Sequence, residues 1–273
     1  MYKLLALDLD GTVLNSDNRI SAPLRTALRA LQPYVHIVLV TGRHHTAARP
    51  YHAELGLTSP IICCNGTYLF DYAQQAVVQH NSIGKDQARE FVRNAEAKNL
   101  KLVMYAHDAM LYSRSQPITY METLSRWADT IQVELRPDIR QIESFTDELD
   151  NTEHVWKFVI EGDDVGDFDQ LDYIRSNFSG ERSWLDRIDY AKHGNNKGKA
   201  LAEYVQQRGF QADQVVAIGD NDNDISMLRY AGLGVAMLNA NADVKQAAQL
   251  TTQASNDDAN GLAALLVKLF PGE

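Results

Sequence analysis

Cysteine is almost missing from this chain. Its 273 residues include two, Cys63 and Cys64, side by side. Adjacent cysteines do not close a relaxed disulfide, so a framework of bridges is excluded. Lying in the apolar run from Pro60 to Cys64, they read instead as buried, inert thiols. Long apolar runs are missing too, with nothing near the roughly 18 residues of a membrane helix. The start, Met1-Tyr2-Lys3 and then Leu4–Leu7 before Asp8, resembles neither a signal peptide nor a span. Positive charge is in deficit: 26 Lys and Arg against 36 Asp and Glu give a net charge of -10. That balance opposes non-specific binding to nucleic acid or to an anionic membrane. It does not exclude a small anionic substrate, because the local field of a cleft can oppose the net charge. There is no internal repeat and no low-complexity segment. Asn65-Gly66-Thr67 and Asn177-Phe178-Ser179 match the glycosylation pattern but mean little without an export signal. These absences predict a soluble, cytoplasmic protein. With 45% hydrophobic and 23% charged residues, the composition suits one large domain or two smaller ones.

What is present is an alternation of short Val- and Ile-rich runs with helical patterns. Strands are predicted at Leu4–Leu7, Val35–Val40, Ile61–Cys64, Val215–Ile218 and Gly234–Met237. Helices are predicted at Ser21–Leu31, His44–Leu55, Lys197–Arg208, Asp224–Ala231 and about Asn260–Phe270. Ser21 suits an N-cap, Pro23 a first turn, and Gly56 and Gly209 helix stops. Strands and helices alternating at these lengths imply an α/β fold with a doubly wound parallel sheet covered on both faces. The middle reads differently. Helices at Lys85–Asn99, Gln116–Trp127 and Phe168–Phe178, with strands at Lys101–Tyr105, Met110–Ser113 and Val155–Glu161, suggest a separate α+β unit over roughly 82–187. The two outer pieces then form one sheet with the middle inserted.

In an open parallel sheet, ligands bind beyond the carboxyl ends of the strands. Four polar signals fall at such ends or at a helix start. The first is Asp8-Leu9-Asp10-Gly11-Thr12. Asp8 is a candidate nucleophile that attacks a phosphate ester and forms an aspartyl-phosphate. Asp10, two residues on, is a candidate general acid and base. An Asp-x-Asp pair by itself often does no more than end a strand and cap a turn. Here Gly11 permits the tight turn and Thr12 can brace the carboxylates. The second signal is Thr41-Gly42-Arg43. A hydroxyl and neighbouring amide groups at a helix start suit phosphoryl oxygens, so Thr41 and Gly42 are candidate phosphate contacts. Arg43 is open between a substrate contact, a contact to the inserted unit and a plain ion pair. The third is Lys197, at the start of a helix whose dipole it opposes, an expense an anion would repay; Lys199, two residues on, should face elsewhere. The spacing of Gly194-Asn195-Asn196-Lys197-Gly198-Lys199 is not that of a Walker loop.

The fourth signal is Asp220-Asn221-Asp222-Asn223-Asp224. So many carboxylates in one pocket repel, and a divalent cation is the expected remedy. Asp220 and Asp8 are candidate metal ligands together with the Asp10 carbonyl. Asp224 is expected to orient them, and Asn223 to touch the phosphoryl group. The cluster copies half of a calcium loop, but Ile225 stands where that loop needs Gly, and Ala231 where it needs Glu. Gly232-Leu233-Gly234 follows a helix and lacks the third glycine of a dinucleotide fingerprint. His44 and His45 cannot share a helix face; a substrate contact from one is open, but solvated or packed side chains are the expectation.

Taken together, these residues resemble the haloacid dehalogenase-like hydrolases. Asp8-Leu9-Asp10-Gly11-Thr12 is similar to the first motif of that family, Thr41 to the second, Lys197 to the third, and Gly219-Asp220-x-x-Asn223-Asp224 to the fourth. Thr41-Gly42-Arg43, Asn65-Gly66 and the run Gly219 to Leu228 are similar to its Cof-type members, which adds Asn65 as a candidate substrate contact. The resemblance implies a Rossmann-like core (1–81 and 188–273) with an inserted α/β cap (82–187) that sets specificity. It implies a Mg²⁺-dependent phosphatase of small phosphorylated metabolites, with sugar phosphates and pyridoxal 5'-phosphate as leading substrates. A phosphomutase or phosphotransferase of the same fold is one rival. A receiver-like module that holds phospho-aspartate without turnover is another. Among cap residues, His107, Asp108, Tyr112 and Lys157 are candidate contacts, each equally open to a structural role.

Overall fold

The structure is a computed structural model that describes residues 1–162, 164–184 and 187–271. It divides into two compact units. The first comprises Met1–Gly42, Tyr51–Val78 and Asn196–Glu273, the second Arg43–Pro50 and Gln79–Asn195.

The first unit is built on a five-stranded sheet in the order Leu250–Thr251, Leu233–Ala236, Val215–Gly219, Leu4–Leu7, His36–Leu39. Every neighbouring pair is parallel. Leu4 to Leu7 are all buried, as they must be if both faces of a parallel sheet are covered. One face packs Leu4, Ala6, Val215 and Ala217 against Leu201, Tyr204 and Val205 of the helix Lys197–Gln207, with Met227 and Leu228 of the helix Ile225–Tyr230. The helices Ala22–Leu31 and Gly261–Leu269 pack on one another and bury Leu24, Leu28, Leu262 and Leu266. Ser21 caps the former, its hydroxyl accepting from the Leu24 N–H at 3.3 Å, with Pro23 in the first turn. The antiparallel hairpin Ile61–Cys63 and Tyr68–Asp71 joins the sheet through a bridge between Val40 and Ile62.

The second unit carries a six-stranded sheet in the order Phe178–Trp184, Arg187–Lys192, Val155–Glu161, Lys101–Ala106, Met110–Ser113, Ile139–Ile142. Its pairs are antiparallel apart from the last. One face is packed with aromatic rings. Phe91 of the helix Lys85–Ala97 stacks on Phe158 with centroids 4.3 Å apart and meets Phe168, Phe178 and Tyr190 edge-on. Such pairs add about 0.5–1.5 kcal/mol each beyond area burial.

Two predicted helices differ in the structure. The pattern at Phe168–Phe178 becomes two short helices, Val165–Asp169 and Asp172–Asn177, separated by the extended Leu171. Phe178 opens a strand instead, which is how its ring reaches Phe91. The helix expected from Gln116 begins at Thr119, because Pro117 biases its predecessor away from helical backbone. Among the described residues no helix is long and apolar enough to cross a membrane.

Candidate active site

Four adjacent parallel strands of the first unit end on the same edge, and the polar segments follow their last residues. Asp8 comes directly after Leu4–Leu7, Asp220 directly after Val215–Gly219, Thr41 two residues after His36–Leu39, and Asn239 three residues after Leu233–Ala236. The loops thus converge because the strands do.

Lys197 is the centre of the arrangement. It is the first residue of its helix and fully buried. Its ammonium donates to Asp8 Oδ1 and to Asp224 Oδ1, each at 2.6 Å. The other Asp224 oxygen accepts from the Asp220 and Asn221 backbone N–H groups at 2.9 and 3.0 Å. Asp224 therefore ties the fourth loop to Lys197 with both oxygens engaged. Asn196 caps the helix by accepting from Lys199 N–H at 2.8 Å, and Lys199 itself is exposed. At Gly198 a side chain would run into the Ser226 backbone, and its N–H donates to Ser226 Oγ at 2.9 Å. That close approach presses the lysine helix onto the helix that follows Asp224.

The first loop is fitted to the fourth. Thr12 Oγ1 donates to Asp220 Oδ1 at 2.8 Å. Gly11 sits at φ 80, and a Cβ there would overlap the Asp220 carboxylate. Asn239 was not among the residues singled out from sequence. Its amide donates to the Gly11 carbonyl at 2.9 Å and to Asp220 Oδ2 at 3.3 Å. The signal that points to it is positional, since Asn239 follows a neighbouring strand of the same sheet.

Thr41 is fully buried; its N–H donates to the Ile62 carbonyl and its carbonyl accepts from Asn65 N–H at 3.1 Å. Cys64, Asn65 and Gly66 take φ values of 48, 55 and 87 in succession. Left-handed backbone costs a residue other than Gly about 1–3 kcal/mol and gathers at functional sites. The turn holds Asn65 Oδ1 where it accepts from Asn223 Nδ2 at 3.1 Å. Asn223 Oδ1 is buried with no protein partner. Both cysteines are buried thiols outside any disulfide, and burial together with its neighbour Cys64 pushes the Cys63 thiol well up.

Arg43 groups with the second unit, where its guanidinium lies 5.7 Å from the centre of the Trp127 ring. His44 and His45 are both packed. Their rings lie 4.4 Å apart, because His44 precedes the helix His45–Leu55 and the helical facing rule does not reach it. His44 Nε2 meets the Ala106 carbonyl at 3.0 Å, which makes it the donor, and Nδ1 faces Thr46 Oγ1 at 2.8 Å. Of the cap candidates, Lys157 is buried in an ion pair with Asp189 at 2.5 Å, and Asp108 accepts from Arg140 at 3.0 Å.

The electrostatics follow from crowding. Asp8 is pushed well above the ordinary aspartate range, first by burial and then by Asp224, while Lys197 pulls it down and Asp220 and Asp10 push it up further. Burial raises Asp220 to about 6 against the hydrogen bond from Thr12. Lys197 is held protonated in spite of its burial by Asp224 and Asp8. One ammonium thus faces four carboxylates, counting the exposed Asp10 whose charge acts on both Asp8 and Asp220. Donor oxygens of Asp8, Asp220 and Asp224 lie within 4.8 Å of one another. An all-oxygen, over-acidic set fits a hard divalent cation. Asp8 and Asp220 would be the ligands; Asp224 is fully buried with its oxygens turned to the Lys197 ammonium and the Asp220 and Asn221 N–H groups, whereas Asp220 is only half-buried.

This fold and edge-of-sheet site are those of a large hydrolase family, and comparison with known proteins gives the same answer. The model of the haloacid dehalogenase-like hydrolases matches residues 5–266, and the chain belongs to that family. It is 37% identical over 255 residues to the pyridoxal phosphate phosphatase YbhA of Escherichia coli, covering 91% of this chain and 92% of that one. It is 31% identical over 262 residues to the 5-amino-6-(5-phospho-D-ribitylamino)uracil phosphatase YcsE of Bacillus subtilis, covering 94% and 92%. A haloacid dehalogenase-like hydrolase from Bacteroides thetaiotaomicron superposes with a TM-score of 0.86 at 27% identity, over 99% of this chain and all of that one. The likeness that Thr41–His45, Ile62–Tyr68 and Val155–Phe158 bear to bacterial pyridoxal phosphate phosphatases accords with the first of these matches.

Proposed function

We propose that this phosphatase is a Mg²⁺-dependent phosphomonoesterase that works through a phosphorylated Asp8, with pyridoxal 5'-phosphate as its first candidate substrate and sugar phosphates as the second. The observation that carries the mechanism is the buried contact of Lys197 with both Asp8 and Asp224. It supplies a fixed cation beside the nucleophile, in a site with too few positive charges of its own.

In this reading Asp8 attacks phosphorus and the ester oxygen leaves with a proton from Asp10. Water then attacks the aspartyl-phosphate, giving its proton to Asp10. Lys197 neutralises charge on the transferring group and keeps Asp8 in place. Thr41, Gly42 and Asn223 bind the phosphoryl oxygens, and the Cys64–Gly66 turn supports Asn223 through Asn65. Thr12, Asn239 and Asp224 hold Asp220. Mg²⁺, held by Asp8, Asp220 and the Asp10 carbonyl, would supply charge stabilisation for the phosphoryl group. Residues 82–187 act as a cap that chooses the leaving group, with Arg43 as a candidate substrate contact. Pyridoxal 5'-phosphate takes precedence because of the relative at 37% identity. Buried cysteine thiols accord with a reducing compartment, and a cytoplasmic enzyme is the reading we favour.

The test is a panel of phosphorylated metabolites with Mg²⁺, ranked by kcat/KM, beside p-nitrophenyl phosphate. Release of free phosphate with pyridoxal 5'-phosphate at the head is expected. Transfer to another acceptor without free phosphate would indicate a mutase or transferase. Asp8→Asn should lower turnover by on the order of 10⁴-fold or more, and near-normal activity in that variant would remove the nucleophile. Full activity in excess EDTA would contradict the metal requirement.

A further inference from the structure

The second unit holds a cluster of different chemistry. His107 follows the strand Lys101–Ala106 and His154 precedes the strand Val155–Glu161. These strands are antiparallel with Ala106 paired to Val155, so the two histidines stand next to each other just past the last pair. Glu153 is beside them. One donor atom from each of His107, Glu153 and His154 lies within 4.8 Å of the other two. His107 Nδ1 is 3.8 Å from one Glu153 oxygen, and His154 Nε2 is 3.5 Å from the other.

Those separations are long for hydrogen bonds, whose usual range ends at about 3.2 Å. The 3.5 Å contact has the spacing of donors that share an ion, and the 3.8 Å contact is within a few tenths of an ångström of it. Zinc–nitrogen and zinc–oxygen bonds of about 2.0–2.2 Å in a tetrahedral site put donors roughly 3.3–3.6 Å apart. His107 Nδ1 is buried with no hydrogen-bond partner, a cost that an ion between the rings would remove. The surroundings are preformed. Thr152 Oγ1 accepts from His107 N–H at 3.1 Å and donates to the His154 carbonyl at 3.0 Å, pinning both backbones. Trp156 Nε1 donates to the His107 carbonyl at 3.2 Å. The His80 ring lies 4.2 Å from the His154 ring and packs on it. The Glu153 side chain is 70% exposed, which leaves a way in for an ion and an open position for water.

We propose that His107, Glu153 and His154 form a second metal site, specific for a borderline transition ion of the Zn²⁺ type. Two imidazoles and one carboxylate discriminate against Mg²⁺, which prefers oxygen. The site is independent of the acidic cluster of the first unit in both residues and metal preference.

The experiment is calorimetric titration of the full-length protein with Zn²⁺ in excess Mg²⁺, in an Asp220→Asn background that weakens the acidic cluster. Saturation at one Zn²⁺ per chain is expected. His154→Ala and Glu153→Gln should each weaken it by roughly 10–100-fold or more, since even outer-shell partners of metal ligands are worth that much. Circular dichroism checks that the variants are folded. Histidine NMR of the unmutated chain gives an independent reading: Zn²⁺ should move the His107 and His154 ring signals while Mg²⁺ leaves them in place. No saturable Zn²⁺ binding in the Asp220→Asn background, affinity unchanged by both substitutions, or ring signals that ignore Zn²⁺ would each overturn the proposal. None of these outcomes bears on the phosphatase reading.

Discussion

Asp8 and Lys197 stand 189 positions apart in sequence and 2.6 Å apart in space, with the lysine wholly enclosed. A buried ammonium is stable only when its partners are in place, and here they are two carboxylates from two different loops. Removing one partner of a buried pair typically costs about 3–5 kcal/mol, because it leaves an uncompensated charge. Asp224→Ala should therefore destabilise the first unit by about that much. Asp224→Asn, which keeps an acceptor for the Asp220 and Asn221 N–H groups, should cost less. Urea unfolding followed by circular dichroism measures both, and equal midpoints for Asp224→Ala and the parent chain would contradict the enclosed-ammonium argument.

Asp10 is exposed, so a leaving oxygen or a water can approach it from solvent. Asp10→Asn keeps its shape and removes its proton transfer. Turnover should fall about 10²–10⁴-fold in both formation and hydrolysis of the phospho-enzyme. Rapid-quench kinetics separates the two steps, and an unchanged rate in both would move the acid–base role elsewhere.

Thr12 acts on Asp220 through one hydrogen bond of 2.8 Å. Thr12→Val keeps the volume and deletes the donor. The Mg²⁺ concentration for half-activation should rise roughly 10–100-fold, with kcat at saturating Mg²⁺ little altered. A metal titration of p-nitrophenyl phosphate hydrolysis reads this directly. A lowered kcat with an unmoved Mg²⁺ midpoint would make Thr12 a substrate contact instead.

Two titratable groups, Asp220 of the first unit and His44 of the second, respond to pH in opposite directions. Asp220 is raised from 3.8 to about 6, so without metal the native state holds a proton that the unfolded chain releases. Its contribution is then complete below pH 4 and is lost, by up to about 3 kcal/mol, as pH rises through 6. Asp220→Asn should flatten that slope, and Mg²⁺ should stabilise more at pH 7 than at pH 5. His44 is lowered from 6.5 to about 4 by burial. Its contribution is complete above pH 6.5 and is lost as pH falls through 4. All three tryptophans, Trp127, Trp156 and Trp184, belong to the second unit. Their fluorescence should therefore show unfolding made easier by acid while Asp220 acts in the other direction. A tryptophan unfolding midpoint independent of pH between 7 and 4 would remove the His44 assignment.

Four of the five strands of the first unit's sheet were legible because each is a short apolar run followed by a polar signal; the two-residue edge strand Leu250–Thr251 and the hairpin strand Tyr68–Asp71 were not. Leu4–Leu7 is the same four residues in sequence reading and in structure. In the second unit the buried runs Lys101–Ala106, Met110–Ser113 and Val155–Glu161 were read as strands, and the alternating one was not. In Arg187–Lys192, Ile188 and Tyr190 are buried between half-exposed residues, and so brief an alternation gives little signal. Asn239 was missed for a different reason: a lone asparagine in a loop gains meaning only beside Gly11 and Asp220.

Sequence alone determined which chemical groups are available and at which strand ends they stand, because hydrophobic runs and loop residues are local properties. Which carboxylate grips Lys197, which hydroxyl steadies Asp220, and how Asn65 comes to face Asn223 were decided by the packed sheet. Those pairings join residues 27 to 208 positions apart, and only strand order and register bring such distant atoms within hydrogen-bonding reach. The same holds for His107 and His154, made neighbours by an antiparallel register that no local pattern specifies.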